Sequence, residues 1–471
     1  MAQRTIPTSV IRQARLLLTL SKNPGKICLK GVTMRMRRAL IVVTCIVLGC
    51  IVGVAQEKPF SGMVLRLASM ADQFAPFLVE LGRRFETLTG ARVEVDILGY
   101  PELFAAVTHD LATGTKVYDL ITVDIVWTGL FAEREWMVDL EPLIKRDYLE
   151  LDIPDILPVC WSQGRWKVGD KWVQIAFPMA AYANSLIYRK DLFEDPAEKE
   201  AFYKRYGYEL RPPRSIKELR DIAEFFTRPP HLYGLVANGA RGPAVAQDWM
   251  EFMRIFGGDI IRDGKVVVYS PENLAALEFF VELHTKWAPP GSVGYWWDDR
   301  ETAYRTGLAV MQSSWSIARP GYEDPKISLV VGKTGMAIPP FEPSTIVRTG
   351  FGGWGIGINN DIDPERQEAA WAFIKWITSA EIQKEWARHE GAPIRLSVLT
   401  DPELVREMPW YPTLLKILIH GDGDYRPRYP EYSEIQDILG LRVHQAITLE
   451  LTPDEALRLA HQEIEALFAG K

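Results

Sequence analysis

Three carboxylates, Asp298, Asp299 and Glu301, stand beside Trp296 and Trp297, a residue set from which a secreted sugar-cleaving site could be built. Such sites hold two carboxylates about 5 to 9 Å apart around a sugar ring, one giving a proton and the other attacking or activating water. In a loop just before a helix, the same acids satisfy the free backbone N–H groups of the first turn and favour its positive end. Capping is the simpler expectation for these acids, and glycan processing by Asp298, Asp299 or Glu301 stands as the alternative.

Other chemistry is thin. The seven histidines (His109, His231, His284, His389, His420, His444 and His461) are scattered without the paired spacing of a metal site. No G-x-S-x-G elbow, Walker loop or calcium loop occurs in the sequence. Gly350, Gly352 and Gly355 satisfy G-x-G-x-x-G, but Ile356 to Asn360 reads as strand, whereas a dinucleotide site needs a helix opening inside the motif. Cys160 lies between Pro158 and Trp161 with no basic neighbour, the setting of a small core residue and not of a nucleophile. The sequence calls for no cofactor, no metal and no catalytic set.

The elements that must position a site alternate along the chain. Val64–Ala68 alternates as a strand, and Phe74, Phe77, Leu78, Leu81, Phe85 and Leu88 recur at helical spacing before Gly90. Val93–Ile97 reads as strand, Leu103–Leu111 as helix and Leu120–Val123 as strand. This βαβαβ order predicts a parallel sheet covered by helices. Ser215 with Glu218, Thr378 with Glu381, and Thr452 with Glu455 each predict a capping box, in which two orphaned backbone N–H groups are satisfied reciprocally. Pro271, Pro364 and Pro453 mark first helical positions. No long polar linker separates two halves, so the domains are expected to be interwoven, with the chain crossing between them more than once.

The N-terminal part obeys a different logic. A basic head, Met34 to Arg38, precedes an apolar run from Ala39 to Val54 and small residues at Gly53 and Ala55, which matches a bacterial secretory signal. The run is shorter than the roughly 20 residues of a spanning helix, so cleavage after Ala55 is expected. Val47 to Cys50 is lipobox-like, but apolar Ile51 to Val54 follows where a lipid-anchored cysteine would have a polar tether. Residues 1–33 sit upstream of the signal and fit an early start codon. Residues 1–55 hold nine basic and no acidic residues, so removing them leaves 45 Lys and Arg against 61 Asp and Glu, a net charge near −16. That balance argues against nucleic acid or anionic lipid as a partner. Only Cys160 of four cysteines remains, so stability must come from core packing.

Three further stretches carry a resemblance. Tyr118 to Ala132, with Asp124, Trp127 and Phe131, leads to Met137–Leu140. Ala181 to Phe193 contains Tyr182 and Tyr188. Gly352 to Ile358, with Trp354, is followed by Ala369–Ile374 and Gly391–Arg395. Their order and spacing resemble the carbohydrate-binding receptors of ATP-driven importers, maltose- and trehalose-type receptors above all. The resemblance spans nearly the whole exported chain and extends to Arg426–Arg428.

It implies an α/β, two-lobed periplasmic-binding-protein fold, each lobe a mostly parallel sheet flanked by helices, joined by a hinge with several crossings. Residues 56–182 and about 353–400 would form lobe 1, and about 183–352 and 401–471 lobe 2. The implied function is a monomeric, non-catalytic receptor in the periplasm or on the outer face of the cytoplasmic membrane. It would close on a disaccharide or short oligosaccharide and deliver it to the permease subunits of an ABC importer; a polyol is the alternative ligand. Asp124 would accept sugar hydroxyls and Trp127 stack or form a wall, since both follow a strand end, where open α/β sheets bind ligands. Tyr182 would sit at the hinge, and Arg241 and Trp249 would face the cleft from lobe 2. Trp315, in a Ser-rich loop after the strand Leu308–Met311, would lie under a sugar. Gly353 and Trp354, in a Gly-rich loop, would offer backbone N–H and ring, and Arg395 a fork of donors.

Overall fold

The structure, a computed structural model, describes residues 58–342 and 347–469. The expected signal, the cleavage after Ala55 and the lipobox-like Cys50 lie outside the described residues. Strand β1 (Val64–Met70) buries Leu65, Leu67 and Ala68. Helix α1 (Ala75–Thr89) follows, with Pro76 in its first turn; it ends where Gly90 takes φ 86° and donates its N–H to the Glu86 carbonyl. Of the residues read at helical spacing, Leu88 is exposed, Phe74 is buried just before the helix, and Phe77, Leu78, Leu81 and Phe85 form its buried face. Each such side chain contributes roughly 1.5–3 kcal/mol relative to exposure. Strand β2 (Arg92–Leu98), helix α2 (Tyr100–Thr113) and strand β3 (Leu120–Asp124) complete the expected βαβαβ unit, with β1 parallel to both β2 and β3.

The sheet continues through long strands that return from later in the chain. Numbering onward, β4 is Phe177–Arg189, β5 Tyr233–Val236, β6 Ala309–Trp315, β7 Thr334–Ala337, β8 Thr349–Ile358 and β9 Gly421–Asp422. The order is β2-β1-β3-β8-β4-β6-β5, with β7 paired to β4 and β9 to β8. Parallel pairs occupy both ends, and β8 and β4 run antiparallel to each other in the middle. Strand β4 changes partner within itself: its residues up to Ala183 pair with β8, whereas Asn184 to Arg189 pair with β6 and β7. One strand thus belongs to both arms of this two-lobed α/β fold.

Two local expectations need correction. Thr378 does not open a helix; its hydroxyl donates to the Ile374 carbonyl and Ser379 caps the next helix by accepting from Ile382 N–H. Trp315 and Trp354 lie on strands, not in loops: Trp315 ends β6 and Trp354 is inside β8. Both runs are pairing strands: in β8 the neighbours of Gly352, Gly353 and Gly355 leave no room for a Cβ, and in β6 the Ser313 and Ser314 hydroxyls are taken up by Glu251 and Glu301. The Thr452–Glu455 box forms in full, whereas at Ser215 only one half forms: its hydroxyl accepts from the Glu218 N–H, and the Glu218 carboxylate turns instead to Arg211 and the Arg214 N–H.

Candidate functional site

Loops at the carboxyl ends of β1 and β3 converge on a cavity of about 550 Å³, within the usual range for small-molecule sites. From the first arm it is lined by Met70 to Gln73, Tyr100, Asp124, Tyr182, Gly353 and Trp354. From the other side come Gln247 of α3 (Pro243–Ile255), Trp315 and Ile317, and the start of α4 (Trp297–Arg305), where Trp296, Trp297, Asp298, Arg300 and Glu301 face in. Arg426 completes the wall.

Two Tyr–Asp pairs organise the first side. Tyr182 donates its hydroxyl to Asp72 Oδ2 at 3.1 Å, and Tyr100 donates to Asp124 Oδ2 at 2.9 Å. Burial, then the adjacent carboxylates, hold both phenols well above their ordinary range, so each stays protonated and donates. Burial also raises the Asp72 carboxyl, opposed by the Gln73 N–H and the Tyr182 hydroxyl. The Trp354 indole N–H lies close enough to favour the Asp72 charge but makes no well-formed hydrogen bond. Asp124 also takes Arg426 Nη2 at 3.3 Å. Burial is the largest influence and opposes the Arg426 charge, but Asp124 together with Tyr425, Tyr432 and Tyr100 outweighs it and holds the guanidinium well above its ordinary range.

Rings fill the spaces between these groups. Trp127 and Trp354 meet edge to face at 5.5 Å, Tyr100 contacts both, and Tyr100 also reaches Trp297 at 6.4 Å. Trp315 stands edge-on to Tyr182 at 5.5 Å, with the Arg426 guanidinium 5.6 Å from its ring centroid. Gly353 has φ +106°, and a Cβ there would meet the Ala180 carbonyl oxygen at 2.1 Å, so only glycine fits this turn of the cavity wall.

The far wall is braced from behind. Arg300 Nη1 is 2.9 and 3.1 Å from the two Asp248 oxygens, and its Nη2 is 3.0 Å from Glu301. Glu301 further accepts from Ser314, Gln312 and Tyr322. Behind them, burial and the nearby Asp248 charge push the Glu251 carboxyl up to about 8, where it accepts from Ser313 at 2.7 Å. The two cations among the described residues lining the cavity, Arg300 and Arg426, are therefore both matched by carboxylates. What faces the interior is a set of acceptors and indole rings, suited to hydroxyl groups and to the C–H faces between them.

Residues 68–384 match the family described as bacterial extracellular solute-binding protein. The chain belongs to this family. Among solved structures, a solute-binding protein of an ABC transporter from Agrobacterium radiobacter K84, in complex with ribitol, is 42% identical with a TM-score of 0.79, covering 87% of this chain and 100% of that one. Maltose-bound MalE3 of T. maritima is 29% identical with a TM-score of 0.74, covering 86% and 100% respectively. Among curated relatives, a probable amino-acid ABC transporter periplasmic-binding protein of Sinorhizobium fredii is 25% identical over 425 residues, covering 87% of this chain and 90% of the relative. The family is that of ABC-importer solute receptors exported from the cytoplasm.

Of the residues singled out in the sequence, this solute-binding protein brings Asp124, Tyr182, Trp315, Gly353 and Trp354 together around the cavity. Four others lie elsewhere. Trp127 is buried behind the wall among Tyr100, Phe104, Phe131 and Trp354. Trp249 is wholly buried on α3, two residues beyond Gln247, because that helix is packed on nearly all sides. Arg241 is exposed and does not line the cavity. Arg395 is buried and donates to the carbonyls of Thr378, Leu151 and Asp152 and to Asp155; its fork closes a gap between chain segments.

The acidic group by Trp296 divides. Asp299 caps α4 by accepting the Trp296 N–H at 2.9 Å, as the capping expectation held, whereas Asp298 and Glu301 line the cavity. Asp72 and Tyr100 are not among the residues singled out in the sequence, although the rule that points to Asp124, a polar residue at the end of a parallel strand, applies equally to Asp72 after β1 and Tyr100 after β2. Cys160 is buried and its thiol is pushed up by that burial, which suits a core residue.

Proposed function

We propose that this receptor captures a neutral, polyhydroxylated small molecule between its lobes and passes it unaltered to the permease of an ABC importer. The observation that carries this is the charge pairing of the cavity. Arg300 and Arg426 are matched by Asp248, Glu301 and Asp124, so among the described residues lining the cavity an anionic ligand would find no cation without a carboxylate partner. Asp72 and Asp124, each fixed by a tyrosine, offer acceptor oxygens to adjacent hydroxyls, while Trp315 and Trp354 offer apolar faces. Backbone N–H and ring at Gly353 and Trp354 join them. Closure would turn on the segment where β4 changes partner, with residues 56–182 and about 353–400 moving against about 183–352 and 401–471. Ligand contacts from both sides supply the preference for the closed state that closure requires.

A linear polyol is our first choice of ligand, supported by the ribitol held in the 42% identical relative. A disaccharide is the second, favoured by the number of indoles and by the maltose-bound relative. A thermal-shift screen separates them: ribitol, mannitol, maltose, trehalose and a set of amino acids are each added to the exported chain. A ligand at 100 times its dissociation constant stabilises by about 2.7 kcal/mol. Stabilisation by a polyol or sugar is expected; stabilisation by amino acids alone would replace this function with another.

A further inference from the structure

Trp315 reaches the cavity from β6, but the surface its ring rests on belongs to β8. A Cβ built on Gly352 would lie 2.7 and 2.8 Å from the Cη2 and Cζ3 atoms of that indole, and 3.4 Å from Arg426 Nη2. Real Cβ atoms do not approach so closely, and an indole cannot bend away as a flexible chain end could. Gly352 is buried and pairs with Tyr182 in the sheet, so the backbone at 352 has little freedom to retreat. The ring is bordered by Tyr182, Tyr425 and the Arg426 guanidinium. The cavity, which Trp315 lines, is the side left open.

We propose that Gly352 is a specificity-determining position: the missing side chain there lets the Trp315 ring sit back and sets how much space the ligand has. A methyl group at 352 drives the ring into the cavity. The effect of that group grows with ligand size, because a short ligand can shift along the cavity and a long one cannot. The inference rests on the proposed capture of a polyol or sugar in this cavity, but its geometric core does not.

The test is a cycle of Gly352→Ala, Trp315→Phe and the double variant, titrated by calorimetry with ribitol and with maltose. Phe lacks the outer indole atoms that the new methyl group meets. Gly352→Ala should weaken the larger binding ligand by about tenfold or more, the scale of an overpacked core site, and the smaller one less. In the Trp315→Phe background the same substitution should change affinity by no more than about twofold. An equal loss in both backgrounds would overturn the proposal. A crystal structure of Gly352→Ala provides a readout that needs no ligand, with the ring displaced toward the cavity as the expected result and an unmoved ring as the contrary one. Failure of both ligands to bind the native chain would count against the proposed function alone, and the ring position would still decide this inference.

Discussion

Arg426 Nη2 lies 3.3 Å from Asp124 Oδ1, a contact spanning 302 positions in the sequence, and both side chains are buried. It ties the C-terminal part of the chain to the end of the third parallel strand and leaves the other Asp124 oxygen to Tyr100. The cavity is neutralised at this point by the fold itself. Removing one partner strands a buried charge. Arg426→Leu should therefore cost about 3–5 kcal/mol of stability, and Arg426→Leu with Asp124→Asn clearly less than the sum of the two singles. Urea unfolding of the four proteins measures this; additive losses would show that the two groups do not act as a pair.

Glu251 gives a pH prediction whose sign can be worked out. Its carboxyl is raised from an ordinary 4.5 to about 8 by burial and by Asp248. Arg300 from α4 opposes the shift, Ser313 and Asn184 face it from β6 and β4, and Tyr425 interacts from the C-terminal segment. On its own helix, Arg254 is engaged by Asp259 and Asp422. A raised folded value means that the folded protein holds a proton the unfolded chain has released, so this contribution is complete below about 4.5 and is lost as pH rises through about 8. Glu251→Gln cannot lose it. Relative to native, the variant should gain stability between pH 5 and pH 8.5 in chemical denaturation, and parallel profiles would contradict the assignment.

Trp315→Ala should weaken ligand binding by roughly 1–3 kcal/mol, the scale of one large buried apolar side chain, with a small change in melting temperature. Calorimetry with the best ligand of the screen measures it. Unchanged affinity would return Trp315 to a purely structural role.

Arg395→Ala should do the opposite. Its guanidinium binds three carbonyls and Asp155 away from the cavity, so the variant should melt earlier while the surviving folded protein keeps native affinity. A selective loss of affinity without a fall in melting temperature would put Arg395 back among the ligand contacts.

That contrast shows what a sequence can and cannot yield here. Periodicity gave α1 and the first three strands nearly to the residue, because helix and strand bury side chains at different spacings. Asp124 was legible because a strand end is a local feature. Arg395 and Trp249 were not separable from true lining residues, since which way a helix or loop faces is decided by segments far away in sequence. Asp152 and Leu151 claim Arg395 from more than 240 positions off. Trp354 looked like a loop residue because glycines surround it, and only the packing of Gly353 on Ala180 explains why a strand needs them.

The proposed function requires the cavity to bind neutral hydroxyl-rich molecules through contacts from both lobes. Titration calorimetry of the exported chain with ribitol and maltose, repeated for Asp124→Ala and Trp315→Ala, tests it most directly. One ligand should bind per chain, with affinity reduced by each substitution although the two residues come from different arms of the sheet. Saturable binding that neither substitution alters, or no binding of any polyol or sugar beside clear binding of a charged amino acid, would contradict it.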